Sequence, residues 1–283
     1  MTWVAAASTY NYGLIVSDHR LSWDIGGCHV PESRFGVLKV ALVAPNILGA
    51  FAGSVDIGLD VLGRLAALSR GYMTRAPSEM YHHYGQYLFQ KYATFPYAAN
   101  LRELGCDLLF VGLVPPDIRQ FHFPALDEMG GPFFDLTSGY RVSCPTKNNG
   151  WGFEEFGVDL AYPGYDLRRG ATRHIGSGSE HARYQELLET RLAPARVQEL
   201  DSMLKAGPQG PGLVQTAILE EDLPSEVDPS VSRTLHVSTV DREGAVLISP
   251  KEFEDGLPLA TDAGQFRMLS KQYAPTARGL AVA

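Results

Sequence analysis

Cysteine is scarce: Cys28, Cys106 and Cys144 are the only three in 283 residues. Their odd number and the absence of C-x-x-C spacing exclude a zinc ribbon and a paired disulfide framework, and fit three reduced thiols in a cytoplasmic protein. Basic clusters are missing as well. Lys and Arg number 24 against 32 Asp and Glu, for a net charge of −8, and no stretch gathers cations into the stripe a phosphate backbone needs, which excludes nucleic acid as a partner. Long apolar runs are also lacking. The opening Met-Thr-Trp-Val-Ala-Ala-Ala has no basic head and stops at Ser8, so it reads as neither a signal peptide nor a membrane span. No metal or cofactor motif stands out. His82 and His83 diverge by about 100° on a helix, and the G-x-G at Gly176-Ser177-Gly178 comes without a P-loop lysine.

What remains is an ordinary globular composition, 45% hydrophobic and 20% charged with 29 Gly, which fits a single domain over 2–283. Residues 2–8 and 13–18 read as a hairpin around the turn-rich Thr9-Tyr10-Asn11-Tyr12, with Thr2 at the tip of the first strand and Asp18 at the end of the second. After a Gly-Gly and Pro31 loop, runs 35–43 and 47–52 form a second hairpin across Pro45-Asn46. Lys39 falls inside the first of these runs. Flanked by Val37, Leu38, Val40 and Leu42, it must either alternate out to solvent or be buried with a partner.

Gly53-Ser54 opens a helix, with Ser54 as N-cap, Asp56 in the first turn, and Ile57, Val61, Leu65 and Leu68 at helical spacing. A second helix is expected over 78–93, with strands at 106–114 and near 118–123. The stretch 124–170 is rich in Pro, Gly and aromatics without a sustained period, and reads as an insertion within the domain. A strand ending near Ile175 leads through Gly176-Ser177-Gly178 into helical segments at 180–192, 195–206 and 212–222. Strands at 233–240 and 245–249 flank a hairpin turn at Asp241-Arg242-Glu243-Gly244. This order describes an α+β fold in which two antiparallel sheets are flanked by helices.

Thr2 carries the chemical interest. Removal of Met1 would place a hydroxyl and a free α-amine on one residue, and an α-amine, titrating at ~7.7–8.0, is able to accept the hydroxyl proton near neutral pH. Many proteins begin Met-Thr, so the neighbours have to carry the argument. Taken singly they are ordinary: Asp-x-Arg at a strand end is commonly a solvated turn, a strand lysine is commonly exposed, and Gly-Ser-Gly is commonly only a helix entry.

Taken together and in order, Thr2, Asp18-His19-Arg20, Lys39, Phe51-Ala52-Gly53-Ser54 and Gly176-Ser177-Gly178 resemble the β-type subunits of the proteasome and the related bacterial ATP-dependent protease, members of the N-terminal-nucleophile hydrolases. The resemblance covers the first 70 residues, then 106–123 and 172–192 by pattern; 124–170 has no counterpart in it. It implies a four-layer αββα sandwich and a threonine-type amide hydrolase, most simply an endopeptidase. It implies Thr2 as nucleophile, Lys39 as the cation that lowers its pKa, Asp18 as the partner of Lys39, the Gly53 N–H as oxyanion donor and Ser177 as the group that orients the amine. Arg20, Ser22, Gly53 and Ser54 would line the substrate, with the backbone near Ser22 pairing with an extended peptide. An Asp-x-x-Ser pair that supports the amine is matched by Asp222 and Ser225, with Asp228 and Ser230 as a competing pair.

No helical extension precedes the first strand, which under the resemblance reads as a catalytic rather than a gating subunit. Trp3 departs from the small residue usual there, and the loop between Ser22 and Lys39 is longer. The resemblance further implies a peptide or protein substrate, a homo-oligomeric ring and an unidentified ATPase partner, without a cofactor. Two alternatives stay open: a transpeptidase, ligase or small-amide hydrolase on the same nucleophile, and a catalytically silent scaffold subunit that keeps Met1.

Overall fold

The computed structural model describes residues 2–8, 13–25, 28–31, 34–72, 106–113, 137–143, 152–157, 171–180, 182–191, 232, 235–241, 244–248 and 256–273. The expected helix at 78–93, the strand near 118–123 and the helical segments at 195–206 and 212–222 lie outside these residues, as do Asp222, Ser225, Asp228 and Ser230.

Among the described residues seven strands precede the first helix: β1 (Val4–Ser8), β2 (Gly13–Asp18), β3 (Ser22–Ile25), β4 (Cys28–Pro31), β5 (Gly36–Val37), β6 (Val40–Ala44) and β7 (Ile47–Gly53). Helix α1 (Val55–Tyr72) is followed by β8 (Cys106–Leu113), β9 (Thr137–Ser143), β10 (Gly152–Gly157) and β11 (Ala171–Ile175). A 3-10 turn (Ser177–Glu180) leads into α2 (Ala182–Arg191), and the chain continues with β12 (Leu235–Asp241), β13 (Gly244–Ile248), β14 (Leu259–Ala260) and α3 (Ala263–Tyr273). Ten of these strands build two five-stranded antiparallel sheets, in the orders β11-β1-β2-β12-β13 and β10-β9-β8-β7-β6, and the other four form an antiparallel pair β3–β4 and a parallel pair β14–β5. The fold is thus α+β with antiparallel sheets.

β1 lies inside the first sheet, with Val4 opposite Ser17 of β2 on one side and opposite Ile175 of β11 on the other. All five of its residues are buried, which explains why the strand reads as a continuous run rather than an alternation. Val4, Ala6, Ile15, Ile175 and Val240 share one core cluster with Leu48, Ala50, Ala52, Leu109 and Val111 of the second sheet. On the other face of the second sheet, Phe51, Leu108 and Phe110 pack with Leu59, Leu62 and Leu65 of α1 and with Phe266 and Leu269 of α3. That apolar burial, at roughly 25 cal/mol per Å², holds β7 rigidly, and β7 ends at Gly53.

Several elements differ from the sequence expectation. The run 35–43 is split: β5 ends at Val37, Leu38 donates its N–H to Ala260 O, and β6 begins only at Val40. Lys39 sits in the break, so its side chain is freed from strict alternation. Residues 22–25 and 28–31, expected as loop, form the antiparallel ribbon β3–β4. The stretch 124–170 supplies β9 and β10, two ladder-paired strands of the second sheet. β14 and α3 were not foreseen, although α3 has a clear start signal: Gln265 N donates to Asp262 Oδ1 at 2.9 Å, and Gln265 Oε1 accepts from Thr261 N at 2.9 Å, a variant of the capping box.

Two glycines of α1 separate close packing from intrinsic propensity. A Cβ on Gly58 would lie 2.1 Å from Phe51 Cδ2, whereas a Cβ on Gly63 would meet nothing within 4 Å. Gly58→Ala should therefore cost about 2 kcal/mol or more in urea denaturation, because the fully buried Phe51 ring cannot move aside. Gly63→Ala should stabilise by about 0.5–1 kcal/mol through helix propensity alone. Equal effects at the two positions would contradict this packing.

Candidate functional site

The site begins where β1 and β2 end. Asp18 N donates to Trp3 O at 3.0 Å, closing the hairpin one residue beyond the Val4–Ser17 pair. The Asp18 carboxylate turns back to the same strand, and its Oδ2 accepts the Trp3 N–H at 2.7 Å. Its Oδ1 accepts from Lys39 Nζ at 2.8 Å, and Lys39 Nζ also donates to Arg20 O at 2.6 Å. Asp18 and Lys39 are both fully buried. The lysine's two alternatives are thereby resolved, since it is buried with a partner rather than turned to solvent.

Burial pushes the Lys39 ammonium below the usual lysine range, and Asp18 opposes that shift with its charge and its hydrogen bond. Burial also raises the Asp18 carboxyl, against the pull of Lys39 and of the Trp3 N–H. A buried ion pair is tolerable only when the remaining donors and acceptors are satisfied. Trp3 N–H and Arg20 O supply that here.

Thr2 is held through its main chain. Its N–H donates to Ser177 Oγ at 3.1 Å, and its carbonyl accepts from Gly178 N at 3.0 Å. The turn that presents Ser177 depends on Gly176, which has φ +92°; a Cβ there would lie 2.2 Å from Thr2 O and 3.1 Å from the Ala52 Cβ. The end of β7 therefore packs on the same turn that grips Thr2. Ser179 completes the turn, both its N–H and its Oγ donating to Gly176 O.

Thr2, Asp18, Lys39 and Ser177 are thus joined by direct hydrogen bonds or through the adjoining Trp3 amide, and Gly53 follows Ala52 on the neighbouring strand end. Gly53 has φ +101° and is exposed. Arg20 contributes its carbonyl to Lys39. Ser22 begins β3, opposite Pro31. Ser54 precedes α1, and its carbonyl accepts from Gly58 N at 2.9 Å. Among the described residues no group of three or more His, Cys, Asp or Glu is arranged to hold a metal ion, and no helix is long and apolar enough to cross a membrane.

Sequence reasoning missed a set of polar residues packed behind Asp18. His19 and His236 are fully buried, with ring centroids 6.0 Å apart in an edge-on arrangement. His19 N donates to Ser232 Oγ at 2.9 Å, and His236 Nε2 shares a hydrogen bond with Ser238 Oγ. Among the described residues, His236 Nδ1 and the Oγ of its cross-strand neighbour Ser17 have no partner. A lone polar residue in an apolar strand looks like an outward-facing position in sequence, so no periodic signal marked these.

The His236 imidazole is lowered to about 3, by burial first and by the nearby His19 second, from ~6.5 in an unfolded chain. The unfolded chain takes up a proton as pH falls through ~6.5 while the folded one does not. The stabilisation is therefore present above ~6.5 and lost as pH falls towards 3. Urea titrations from neutral pH down to about pH 4.5 should show His236→Asn with a shallower acid loss than the parent, by up to about 1.4 kcal/mol per pH unit. Parallel slopes would contradict this assignment. No protein-family profile and no curated protein matches the chain.

Proposed function

We propose that the chain is a threonine-type N-terminal-nucleophile amide hydrolase, most simply an endopeptidase, acting through an acyl-enzyme on Thr2 after Met1 is removed. The observation that carries the reading is the Asp18 carboxylate, which holds Lys39 with one oxygen and the amide after Thr2 with the other. A buried ammonium has a structural cost that hydrophobic side chains would avoid. Retaining one that is tied through Asp18 to the amide following a half-buried threonine is what activation of that threonine would require.

In this chemistry Thr2 Oγ attacks the carbonyl carbon of an amide while its proton passes to the α-amine released by removal of Met1. The amine takes the place of the N–H that now donates to Ser177 Oγ, so Ser177 would orient it. The positive field of Lys39 lowers the hydroxyl pKa. Gly53 would donate its N–H to the oxyanion, a contribution of about 3–4 kcal/mol. Collapse breaks the C–N bond, the leaving amine takes the proton from the ammonium, and water then hydrolyses the ester. No step requires a cofactor.

The two sheets sharing a core, with α1 and α3 on the far face of one and α2 against Trp3, support the four-layer αββα architecture of such hydrolases. The proposal extends to a peptide or protein substrate and to a cytoplasmic homo-oligomer.

A peptide epoxyketone, read by intact mass, tests the reading. The chain with a free Thr2 should gain one adduct, Thr2→Ala should gain none, and Lys39→Ala should react about 100-fold more slowly or less. Thr2→Ala keeps the main-chain bonds that hold residue 2 and should fold. A free Thr2 that remains unlabelled would overturn the proposal.

A further inference from the structure

Trp3 is fully buried beside the site, and its side chain makes contacts that no requirement of the strand explains. The indole stacks at a tilt on Tyr184 of α2, with ring centroids 5.2 Å apart. Its Nε1–H donates to His174 Nδ1 of β11 at 3.3 Å. Its Cβ lies 3.0 Å from where a Cβ on Gly178 would sit. Trp3 thus touches the strand before the 3-10 turn, the turn itself and the helix after it. Those are the three segments that place Ser177.

The hydrogen bond needs a neutral His174 with its lone pair on Nδ1, because an imidazolium has no acceptor. Partial burial first and the charge of Arg141 from β9 second hold His174 below the ordinary histidine range, while Gln185 of α2 hydrogen-bonds it. Burial and Arg141 therefore favour the neutral imidazole that the indole needs.

A chain terminus frays unless tied down. With Met1 gone, Thr2 would be held by its carbonyl to Gly178 N, by its amine to Ser177, and by the Asp18 bond to the next amide. Two of those three depend on where the turn sits.

We propose that Trp3, His174 and Tyr184 form an aromatic lock whose role is to fix the Ser177 turn against the N-terminal residue, with Trp3 and His174 as positioning residues for the nucleophile's amine. This rests on the Thr2 reading above. The bulk of Trp3 is then a functional requirement: a small side chain would leave α2 and its leading turn without a platform.

The test compares Trp3→Phe, which keeps a ring and removes the donor, with His174→Leu, which removes the acceptor, and His174→Gln, which restores one. The readouts are epoxyketone labelling of Thr2, resolved into binding and the first-order inactivation rate, and amide hydrogen exchange at Gly178. Trp3→Phe and His174→Leu should lower the inactivation rate about 10-fold at unchanged binding and speed exchange at Gly178 but not at Val4–Ala7. His174→Gln should recover most of both. A merely structural role would instead lower stability without changing the rate of the folded protein. Parent-like rates and Gly178 exchange in both disruptive variants would overturn the lock. If the parent itself is unlabelled, the Thr2 reading fails, and the exchange result still decides whether the lock exists.

Discussion

The structure turns on a single buried carboxylate. Asp18 closes the β1–β2 hairpin through its own backbone, binds the Trp3 amide with one oxygen and secures Lys39 with the other. Because Asp18 and Lys39 are both shut away from water, losing either partner would strand a charge in the interior at about 3–5 kcal/mol. The strand end, the break before β6 and the carbonyl of Arg20 are therefore mutually fixed. A residue placed immediately before Trp3 inherits that rigidity, and that residue is Thr2.

Around this point the chain converges from far apart in sequence. β7 arrives with Ala52 against Gly176, the 3-10 turn brings Ser177 Oγ to the Thr2 nitrogen, and Gly176 makes the approach possible because a side chain there would collide with the Thr2 carbonyl. Apolar packing of α1 and α3 on the second sheet supports β7 from behind. In the proposed chemistry each of these supports a different requirement: nucleophile, cation, oxyanion donor and amine partner. Preorganisation of that kind lets polar groups act without reorganising during a reaction.

Much of this was legible because the relevant signals are local. Asp18 at a strand end, the helix after Gly53-Ser54 and the Gly-Ser-Gly entry are turn and cap features, readable from a few neighbouring residues. The interruption at Lys39 was not legible, since it results from β14 pairing with β5 more than two hundred residues away. The ribbon β3–β4 and strands β9 and β10 lacked clean alternation, and tertiary pairing set them instead. Of the candidate site, Thr2, Asp18, Lys39 and Ser177 stand out in the sequence by their order along the chain. Trp3, His174 and the His19–His236 pair were not, because each matters only through a partner on a distant element. Asp222 and Ser225 lie outside the described residues.

In the proposed chemistry the identity of the first residue is decisive, because a retained Met1 would leave the Thr2 nitrogen as a peptide amide without basicity. The most direct measurement is the mass of the N-terminal peptide from the purified protein. That peptide should begin at Thr2 with a free amine. A protein that keeps Met1 throughout would contradict the proposed Thr2 chemistry.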